Sequence, residues 1–374
     1  MKFMKPDTLI ILTPGFPKDE ADSTCVPPQQ VFVKALQEAA PALNIIVLTF
    51  QYPFFSAEYS WNGIKVISFG NSSNSRFYRK FTGIRVWQTL KRLHKEYKVI
   101  GLLSFWFGRC AYVGDIFGKK YGLRHYCWIL GQDAKAGNKY VKKVKPQAGS
   151  IVALSDFIQR EFKMNYAVQP EHIIPVGIDT RPFQLTENKR DIDILGAGSL
   201  IPLKQYDVFL EMVHFLKEFN PDIKAVICGR GIEMLRLKNM AERMDIAGNI
   251  SFMGVIPHSE VLAMMQRSKI LLHTSEYEGF GAVCLEALYA GAHVVSFVKP
   301  MKQEIKNWHH ADDKEDMALK LKDLLADCKL HHERVLPYTI EDNARAMLKL
   351  FDYNDRAIEW MRSAMAAKES VDLK

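Results

Sequence analysis

The sequence predicts an α/β protein built from two doubly wound domains, each a parallel β-sheet covered by helices on both faces. Three observations lead to this fold class. Apolar runs of strand length alternate with amphipathic helical patterns. The alternation stops at residues 173–185, where Pro, Gly and a second Pro interrupt it, and then starts again. A chain of 374 residues also exceeds the size at which a single core stops growing.

The first half of the chain holds short apolar runs that we interpret as strands. They are residues 8–13, 44–50, 65–70, 99–106, 125–130 and 150–155. Helical patterns lie between them, for example at 27–40, where prolines start the helix, and at 82–97. The first run, "TLIILT", follows two lysines as in a signal peptide. It is too short and lacks a small-residue cleavage site, so we interpret it as a buried strand.

The pattern restarts at residue 191. Strands are predicted at 191–199, 223–229, 250–254, 269–275 and 292–297, and helices at 205–219, 231–245 and 258–268. We therefore predict domains at residues 1–180 and 181–340, with a helical segment at 341–374 that packs back toward the first domain. Two such domains place an interdomain cleft at the carboxyl ends of their strands, where ligands bind.

Composition is that of a soluble globular protein, with 48% hydrophobic and 25% charged residues. The six cysteines are scattered without a CxxC motif, which indicates a reducing cytoplasm and no disulfide framework.

Formal charge is distributed unevenly along the chain. Residues 1–180 hold 24 Lys/Arg and 13 Asp/Glu, a formal charge of +11, whereas the remainder carries −3. This split predicts an anionic partner for the first domain, or else only a solubilising surface.

The stretch "HTSEYEGFGAVCLEALYAGAHVVSF" at 273–297 carries the chemistry. A strand ends, a loop with Gly279 and Gly281 follows, and a helix begins. Glycines permit close backbone approach. The amides of Ala282 and Val283, at the start of the helix, then form an anion site suited to a diphosphate.

Two carboxylates bracket that site. Glu286 lies about one turn inside the helix, and Glu278 precedes the loop. Carboxylates accept strongly from hydroxyl groups, so the pair fits a ligand with hydroxyls at both ends and phosphate in the middle. A nucleotide-sugar has that form. Two solvated glutamates on an ordinary strand-to-helix joint remain the alternative.

The segment "EYEGFGAVCLEALYAGAHVV" closely resembles the E-x7-E signature of retaining GT-B glycosyltransferases, in particular glycosyltransferase family 4. "GAGSLIPLKQYDVFLEMV" and the stretch from "ICGRGIEML" to "KILLHTS" resemble segments of the same family. The resemblance is specific over residues 190–297 and looser over 1–150. It implies the GT-B fold, with two Rossmann-like domains, the first binding the acceptor and the second the nucleotide-sugar.

The resemblance also implies roles for individual residues. Glu278 would contact the transferred sugar, Glu286 the ribose, and Lys204 the leaving diphosphate. Asp133 is a further catalytic candidate, for acceptor or sugar, unless it only caps the following segment. The remaining donor-binding candidates are Gly15, Ser199, Gly229, Ile256, Phe280, Gly281, Ala282 and Val283. Gly15 has the equal alternative of a turn glycine between prolines.

Two positions depart from the family pattern. Ser199 stands where the family usually has an arginine, and Leu130 where many members have a histidine. Both changes leave open a catalytically silent nucleotide-sugar-binding protein. A GT-B epimerase or phosphorylase is the enzyme alternative.

We expect no cofactor and no essential metal. The "DID" at Asp191 and Asp193 looks like a metal-binding DxD, but it leads directly into a predicted strand. The pairs His309-His310 and His331-His332 lack a coherent ligand set, and we interpret them as polar helix or loop surface.

The expected function is transfer of a sugar, with retention, from a nucleotide-sugar to a glycan or lipid-linked acceptor. A UDP-sugar is favoured over a GDP-sugar, and no nucleic acid is expected as a partner. The segment 76–98 interleaves basic and aromatic residues, which suits an anionic membrane surface. Its alternative is a core helix that buries Ile84, Trp87, Leu90 and Leu93. The expected location is cytoplasmic, with peripheral attachment to the inner face of the plasma membrane as the alternative to a free protein.

Overall fold

The computed structural model describes residues 5–70, 76–183 and 189–353. The chain divides into two compact units. The first unit is Met1–Gly177 with Ile340–Lys374, and the second unit is Ile178–Thr339. The part of the predicted C-terminal segment from residue 354 onward lies outside the described residues. Within them, no helix is both long and apolar enough to cross a bilayer.

The first unit is built on one mixed sheet. Its strands are β1 (Asp7–Gly15), β2 (Asn44–Tyr52), β3 (Ser56–Trp61), β4 (Ile64–Phe69), β5 (Lys98–Phe105), β6 (Arg124–Ile129), β7 (Ile151–Ala153) and β8 (His172–Ile173). Its helices up to residue 177 are α1 (Pro27–Ala39), α2 (Arg76–Glu96), α3 (Arg109–Tyr121), α4 (Lys139–Val144) and α5 (Asp156–Tyr166). In the described residues the strand order is β3-β4-β2-β1-β5-β6-β7-β8.

All neighbouring strands of this sheet are parallel except β3, which pairs antiparallel with β4. The sequence analysis missed β3. It is an edge strand whose residues from 56 to 60 alternate between exposed and half-buried. Without a continuous apolar run, it lacks the signal that identified the buried strands. The order reverses between β1 and β5, so the loops after these two strands lie at the topological switch point of this unit.

The second unit has a purely parallel sheet. Its strands are β9 (Ile192–Ala197), β10 (Ala225–Cys228), β11 (Ile250–Gly254), β12 (Ser268–His273), β13 (His293–Ser296) and β14 (Trp308–His310). Its helices are α6 (Tyr206–Lys217), α7 (Met234–Arg243), α8 (His258–Arg267), α9 (Ala282–Tyr289) and α10 (Lys314–Ala326). Apolar side chains such as Phe209, Leu216, Ile227 and Leu321 form its core.

In this part of the described chain the strand order is β11-β10-β9-β12-β13-β14. Counted within the unit, that is 3-2-1-4-5-6, the order of dinucleotide-binding Rossmann folds. The strand order reverses between β9 and β12. The loops that follow these two strands therefore lie at the switch point, which is where such sheets bind their ligands.

The chain returns to the first unit in α11 (Ile340–Leu350). Asn343 donates its side-chain amide to the carbonyl of Pro175, and the Tyr126 hydroxyl donates to the carbonyl of Leu350 at 2.9 Å. Phe351 packs edge-on against Tyr126, with ring centroids 5.0 Å apart. These contacts attach residues 340–351 to the body of the first unit.

The interpretation of the pair His309-His310 as helix or loop surface is wrong. Both residues lie in strand β14 and are half-buried. His309 Nε2 is 3.0 Å from His293 Nδ1, and the two rings stack. Burial and the nearby His293 lower the pKa of His309 to about 4. The pair lies at the edge of the sheet, where β14 forms backbone hydrogen bonds with β13. Local sequence patterns do not predict such a pairing between separate parts of the chain.

Candidate functional site

The loops after β9 and β12 are tied together at the switch point of the second unit. The loop after β9 makes a short 3-10 turn at Pro202–Lys204, and Gln205 then takes a left-handed conformation with φ 46°. Thr274, directly after β12, donates its hydroxyl to the carbonyl of Lys204 at 2.8 Å. Gln205 donates its side-chain amide to the Glu276 carboxylate at 3.3 Å. These bonds fix the distance between the two loops and so the position of Lys204.

Glycine is required where the loop after β10 crosses the loop after β9. Gly229 has φ 138°, and a Cβ atom there would lie 1.9 Å from the carbonyl oxygen of Gly198. Its amide donates to the carbonyl of Gly254 at 2.7 Å. Gly229, a predicted donor-binding residue, therefore packs backbone against backbone between three loops at the carboxyl edge of the sheet.

Lys204 and Glu278 form the centre of the site. The Lys204 ammonium contacts the Glu278 carboxylate, and each side chain keeps about a fifth to a quarter of its surface exposed. His273, the buried last residue of β12, places Nε2 3.5 Å from the same carboxylate oxygen. The two side chains that the sequence analysis named as catalytic in this unit are thus brought together.

The electrostatics of this centre favour an ionised carboxylate. Burial alone would raise the pKa of Glu278. The contact with His273 and the charge of Lys204 outweigh it and hold the pKa at about 2. Burial lowers the pKa of His273, so its ring is neutral near pH 7. The site at neutral pH is therefore one ammonium paired with one carboxylate, beside a neutral imidazole.

Helix α9 starts next to this pair. Gly281 precedes it with φ 86°, no side chain caps its amino end, and its first turn carries no acidic residue. The amides of Ala282 and Val283 are donors of that first turn. Phe280, another predicted donor-binding residue, is only 1% exposed and packs edge-on against Tyr338, with ring centroids 5.6 Å apart. Phe280 therefore anchors the loop.

Glu286 lies on α9 with a histidine as its partner. His258 Nε2, at the start of α8, is 3.0 Å from Glu286 Oε1. This hydrogen bond raises the pKa of His258. Ile256 is half-buried in the loop just before α8. His258 was not predicted from the sequence. The signal that could have identified it is its position two residues after Ile256, which was a predicted donor-binding residue.

Arg230 is a second residue that the sequence analysis missed. It follows Gly229, and its carbonyl accepts from the amide of Leu200 at 3.1 Å. Its neighbour across this backbone contact is Ser199, which is exposed. The side chain of Arg230 is also exposed, and no hydrogen bond or ion pair to it is seen within the described ranges. An unpaired guanidinium thus lies beside the position where the resemblance expects an arginine.

Two predicted site residues lie in the first unit, at the carboxyl ends of its strands. Gly15 ends β1, where an added Cβ would lie 3.4 Å from the Cβ of Tyr52. Asp133 follows β6, and its carboxylate accepts from the amides of Phe107 at 2.7 Å, Gly131 at 2.8 Å and Leu130 at 3.1 Å. Asp133 therefore holds together the loops that follow β5 and β6. Its contact with acceptor or sugar stays a prediction.

The "DID" residues lie at the opposite end of the second sheet. Asp193 is in β9, as predicted for a strand, and pairs with Lys269 at 2.8 Å. Asp191 precedes the strand and is bonded to the Arg267 guanidinium, with Nε 2.9 Å away. Both carboxylates are thus engaged at the amino edge, away from Lys204 and Glu278.

Most of the second unit is similar to a domain found in known proteins. Residues 177–335 match the family model described as glycosyl transferases group 1. The gpi3 subunit of phosphatidylinositol N-acetylglucosaminyltransferase from Schizosaccharomyces pombe is 23% identical over 228 residues, 59% of this chain and 50% of that protein. An uncharacterized glycosyltransferase of Haemophilus influenzae is 31% identical over 188 residues, 47% of this chain and 50% of that protein. The chain thus spans half the length of each of these curated relatives.

Solved structures share the fold of the whole chain. HepE of Anabaena in complex with UDP and glucose superposes with a TM-score of 0.62 at 14% identity, covering 96% of this chain and 99% of that one. Such a likeness shows the fold. The predicted fold class is confirmed: two Rossmann-like α/β domains, as in GT-B glycosyltransferases.

Proposed function

We propose, starting from the glycosyl transferases group 1 domain at residues 177–335, that this chain transfers a sugar from a nucleotide-sugar to a glycan or lipid-linked acceptor with retention of anomeric configuration. The observation that carries the proposal is the Lys204–Glu278 pair at the switch point, beside the uncapped amino end of α9. The amino end of α9 supplies amides for an anion, Lys204 supplies a cation, and Glu278 accepts hydrogen bonds from hydroxyl groups. All three lie in one cluster of loops.

The donor diphosphate binds at the first amides of α9 and displaces Glu278 from Lys204. Phosphate is the stronger partner for the ammonium because it carries more charge, and the helix dipole adds to the attraction. The released Glu278 carboxylate, ionised because its pKa is about 2, then accepts from hydroxyls of the sugar. Glu286 accepts from the ribose hydroxyls in the same way.

Arg230 supplies the second positive charge that Ser199 does not. Two cations at the diphosphate stabilise the charge that grows there as the bond to the sugar breaks. This charge supply is also our reason to propose that no divalent metal is needed. A guanidinium suits phosphate because its donors are arranged in a planar fork.

The reaction follows from this arrangement. The acceptor hydroxyl attacks C1 of the sugar on the face from which the diphosphate leaves. The C1–O bond to phosphate breaks, the new C1–O bond forms, and the hydroxyl proton passes to a phosphate oxygen. A UDP-sugar is the proposed donor, in preference to a GDP-sugar.

A thermal-shift screen of UDP-, GDP- and ADP-sugars tests the proposal. A donor present at about one hundred times its Kd should stabilise the fold by about 2.7 kcal/mol. Glu286→Ala should lose about half of this stabilisation or more, since a charged hydrogen bond is worth about 1.5–3 kcal/mol. Glu218→Ala is the matched control, because Glu218 is exposed at the far end of α6 from Lys204. An equal shift in wild type and Glu286→Ala would refute the ribose role.

One observation favours a second candidate, a nucleotide-sugar-binding protein without turnover. Ser199 and Leu130 replace two residues of the family pattern. Donor hydrolysis separates the two functions: a rate that falls in Glu278→Gln but not in Glu218→Gln indicates an enzyme. Nucleotide-sugar binding without any turnover indicates the binding protein. Release of free phosphate from a sugar 1-phosphate as its sugar passes to an acceptor would indicate a phosphorylase.

A further inference from the structure

The outer face of helix α2 carries exposed apolar side chains. Phe81 is 53% exposed and Ile84 is 48% exposed. On the inner face Val86, Leu90 and Leu93 are fully buried in the core of the first unit. The interpretation of α2 as a core helix is thus correct for its inner face. It is wrong for Ile84, which lies on the exposed face.

Two more exposed aromatic residues directly precede β3. Phe54 is 63% exposed and Phe55 is 47% exposed, in the turn before β3. Arg85 Nη1 donates to the hydroxyl of Ser56, the first residue of β3, at 3.1 Å. Phe81 is one helical turn before Arg85, and Phe55 directly precedes Ser56. We call the four exposed apolar side chains on the two sides of this contact, Phe54, Phe55, Phe81 and Ile84, the α2 patch.

Basic side chains continue the same face of the helix. Lys91, Arg92 and Lys95 are exposed, and their spacing of seven to fourteen residues from Phe81 and Ile84 keeps them on that side. Arg76, Arg79 and Lys80 of the same predicted basic segment have side chains outside the described residues. An apolar patch that passes into a basic stripe along one helix is the arrangement of interfacial helices.

A groove of about 390 Å³ lies between α2 and the β3–β4 hairpin. Arg85 and Arg92 line it from the helix, and Ser56, Glu58 and Phe69 line it from the hairpin. Glu58 pairs with Arg92 and, at 3.0 Å, with Lys65. Arg85 stacks over the Phe69 ring at 5.5 Å and has no carboxylate partner within the described part of the chain. The groove thus holds an excess of positive charge next to the apolar patch.

We propose that the α2 patch inserts into an anionic lipid surface, with a headgroup phosphate in the groove at Arg85. Apolar insertion and phosphate binding occur side by side because bilayer headgroups lie directly above acyl chains. The charge of +11 in residues 1–180 attracts the whole unit to such a surface. This inference does not rest on glycosyl transfer, because binding to lipid needs no turnover.

Co-sedimentation of the full chain with vesicles tests it. The vesicles contain phosphatidylcholine alone, or phosphatidylcholine with about one third phosphatidylglycerol. Binding should require the anionic lipid and fall with added salt. The substitutions Phe54→Ser with Phe81→Ser, and separately Lys91→Glu with Lys95→Glu, should each weaken it about tenfold or more.

Matched controls lie in the second unit. Ile232 and Leu235 are 81% and 71% exposed, more than the patch residues, so Ile232→Ser with Leu235→Ser tests general stickiness. Lys224→Glu with Lys238→Glu makes the same charge change at exposed positions. Both control pairs should bind like wild type. Circular dichroism of every variant confirms that it is folded.

Three results would overturn the proposal. The first is equal binding to neutral and anionic vesicles. The second is binding that survives Phe54→Ser with Phe81→Ser, which would mean that no side chain inserts. The third is equal affinity for a short DNA duplex with the same loss in the charge variants, which would indicate a charged surface for any polyanion. Thermal shifts by UDP-sugars should be unchanged in all these variants, which separates this test from that of the proposed function.

Discussion

Replacing Lys204 by methionine should lower turnover far more than donor affinity. In the free protein the ammonium already has a partner in Glu278, so binding the donor exchanges one carboxylate contact for one phosphate contact. The net gain in the ground state is small, and Kd should rise less than about tenfold. In the transition state the leaving diphosphate gains charge. Loss of one stabilising group there costs about 2.7–4 kcal/mol, a factor of about 10²–10³ in kcat.

The assay compares kcat and Kd for Lys204→Met with those for Lys269→Met. Lys269 also pairs with a buried carboxylate, Asp193, at 2.8 Å, but at the amino edge of the same sheet. The control variant therefore removes a comparable ion pair from the same strands without touching the site. A rise in KM with unchanged kcat in Lys204→Met would refute the role at the leaving group.

The same variant has a signature in stability. Glu278 has its pKa held at about 2, below its ordinary 4.5. A lowered pKa contributes stability that is complete above about pH 4.5 and is lost as the pH falls toward 2. Since Lys204 supplies part of this effect, the difference in unfolding free energy between wild type and Lys204→Met should be largest above about pH 5 and shrink in acid. A difference that stays constant down to about pH 3 would contradict the electrostatic coupling.

Three further predictions concern the phosphate, the ribose and the metal. Arg230→Ala should lower turnover about tenfold or more. Adding Ser199→Arg should restore turnover, because the positive charge then moves from one loop to the adjacent one. Failure of this rescue in a folded double variant would refute the role of Arg230. Donor affinity measured by calorimetry should increase as the pH rises from about 6 to 8, because a ribose bound to Glu286 removes the hydrogen bond that raises the pKa of His258. His258→Ala should remove this pH dependence. An unchanged pH profile in that variant would contradict the coupling between His258 and Glu286. EDTA should leave sugar transfer nearly intact, and complete loss restored by manganese or magnesium would show that a metal is required.

Local patterns predicted the buried strands of both units and the loop-to-helix joint beside Glu278, but not the edge strand β3. These features follow from periodicity and from the rule that parallel strands end at one edge of the sheet. Lys204 was named only through the family resemblance, and its contact with Glu278 was not predicted. The role of Gly229 was not predictable in the same way. Its requirement for glycine comes from the backbone of Gly198, 31 residues away, and depends on β10 lying next to β9.

The contacts of individual side chains were also not predictable from the sequence. Asp133 was singled out for chemistry, but its carboxylate is engaged by backbone amides of two loops. Arg230 was passed over because nothing in "ICGRGIE" indicates that it lies beside Ser199. Such contacts are set by loop geometry at the carboxyl edge, which strand and helix periodicity do not encode.

The stereochemistry of transfer tests the central claim most directly. The UDP-sugar that gives the largest thermal shift is incubated with the chain and an acceptor, and the anomeric proton of the product is followed by NMR from the first minutes. We expect a glycoside with the same anomeric configuration as the donor, formed about 10²–10³ times more slowly by Lys204→Met and at the wild-type rate by Lys269→Met. A product of inverted configuration would contradict it, and so would a donor that binds through Glu286 but is never transferred or hydrolysed.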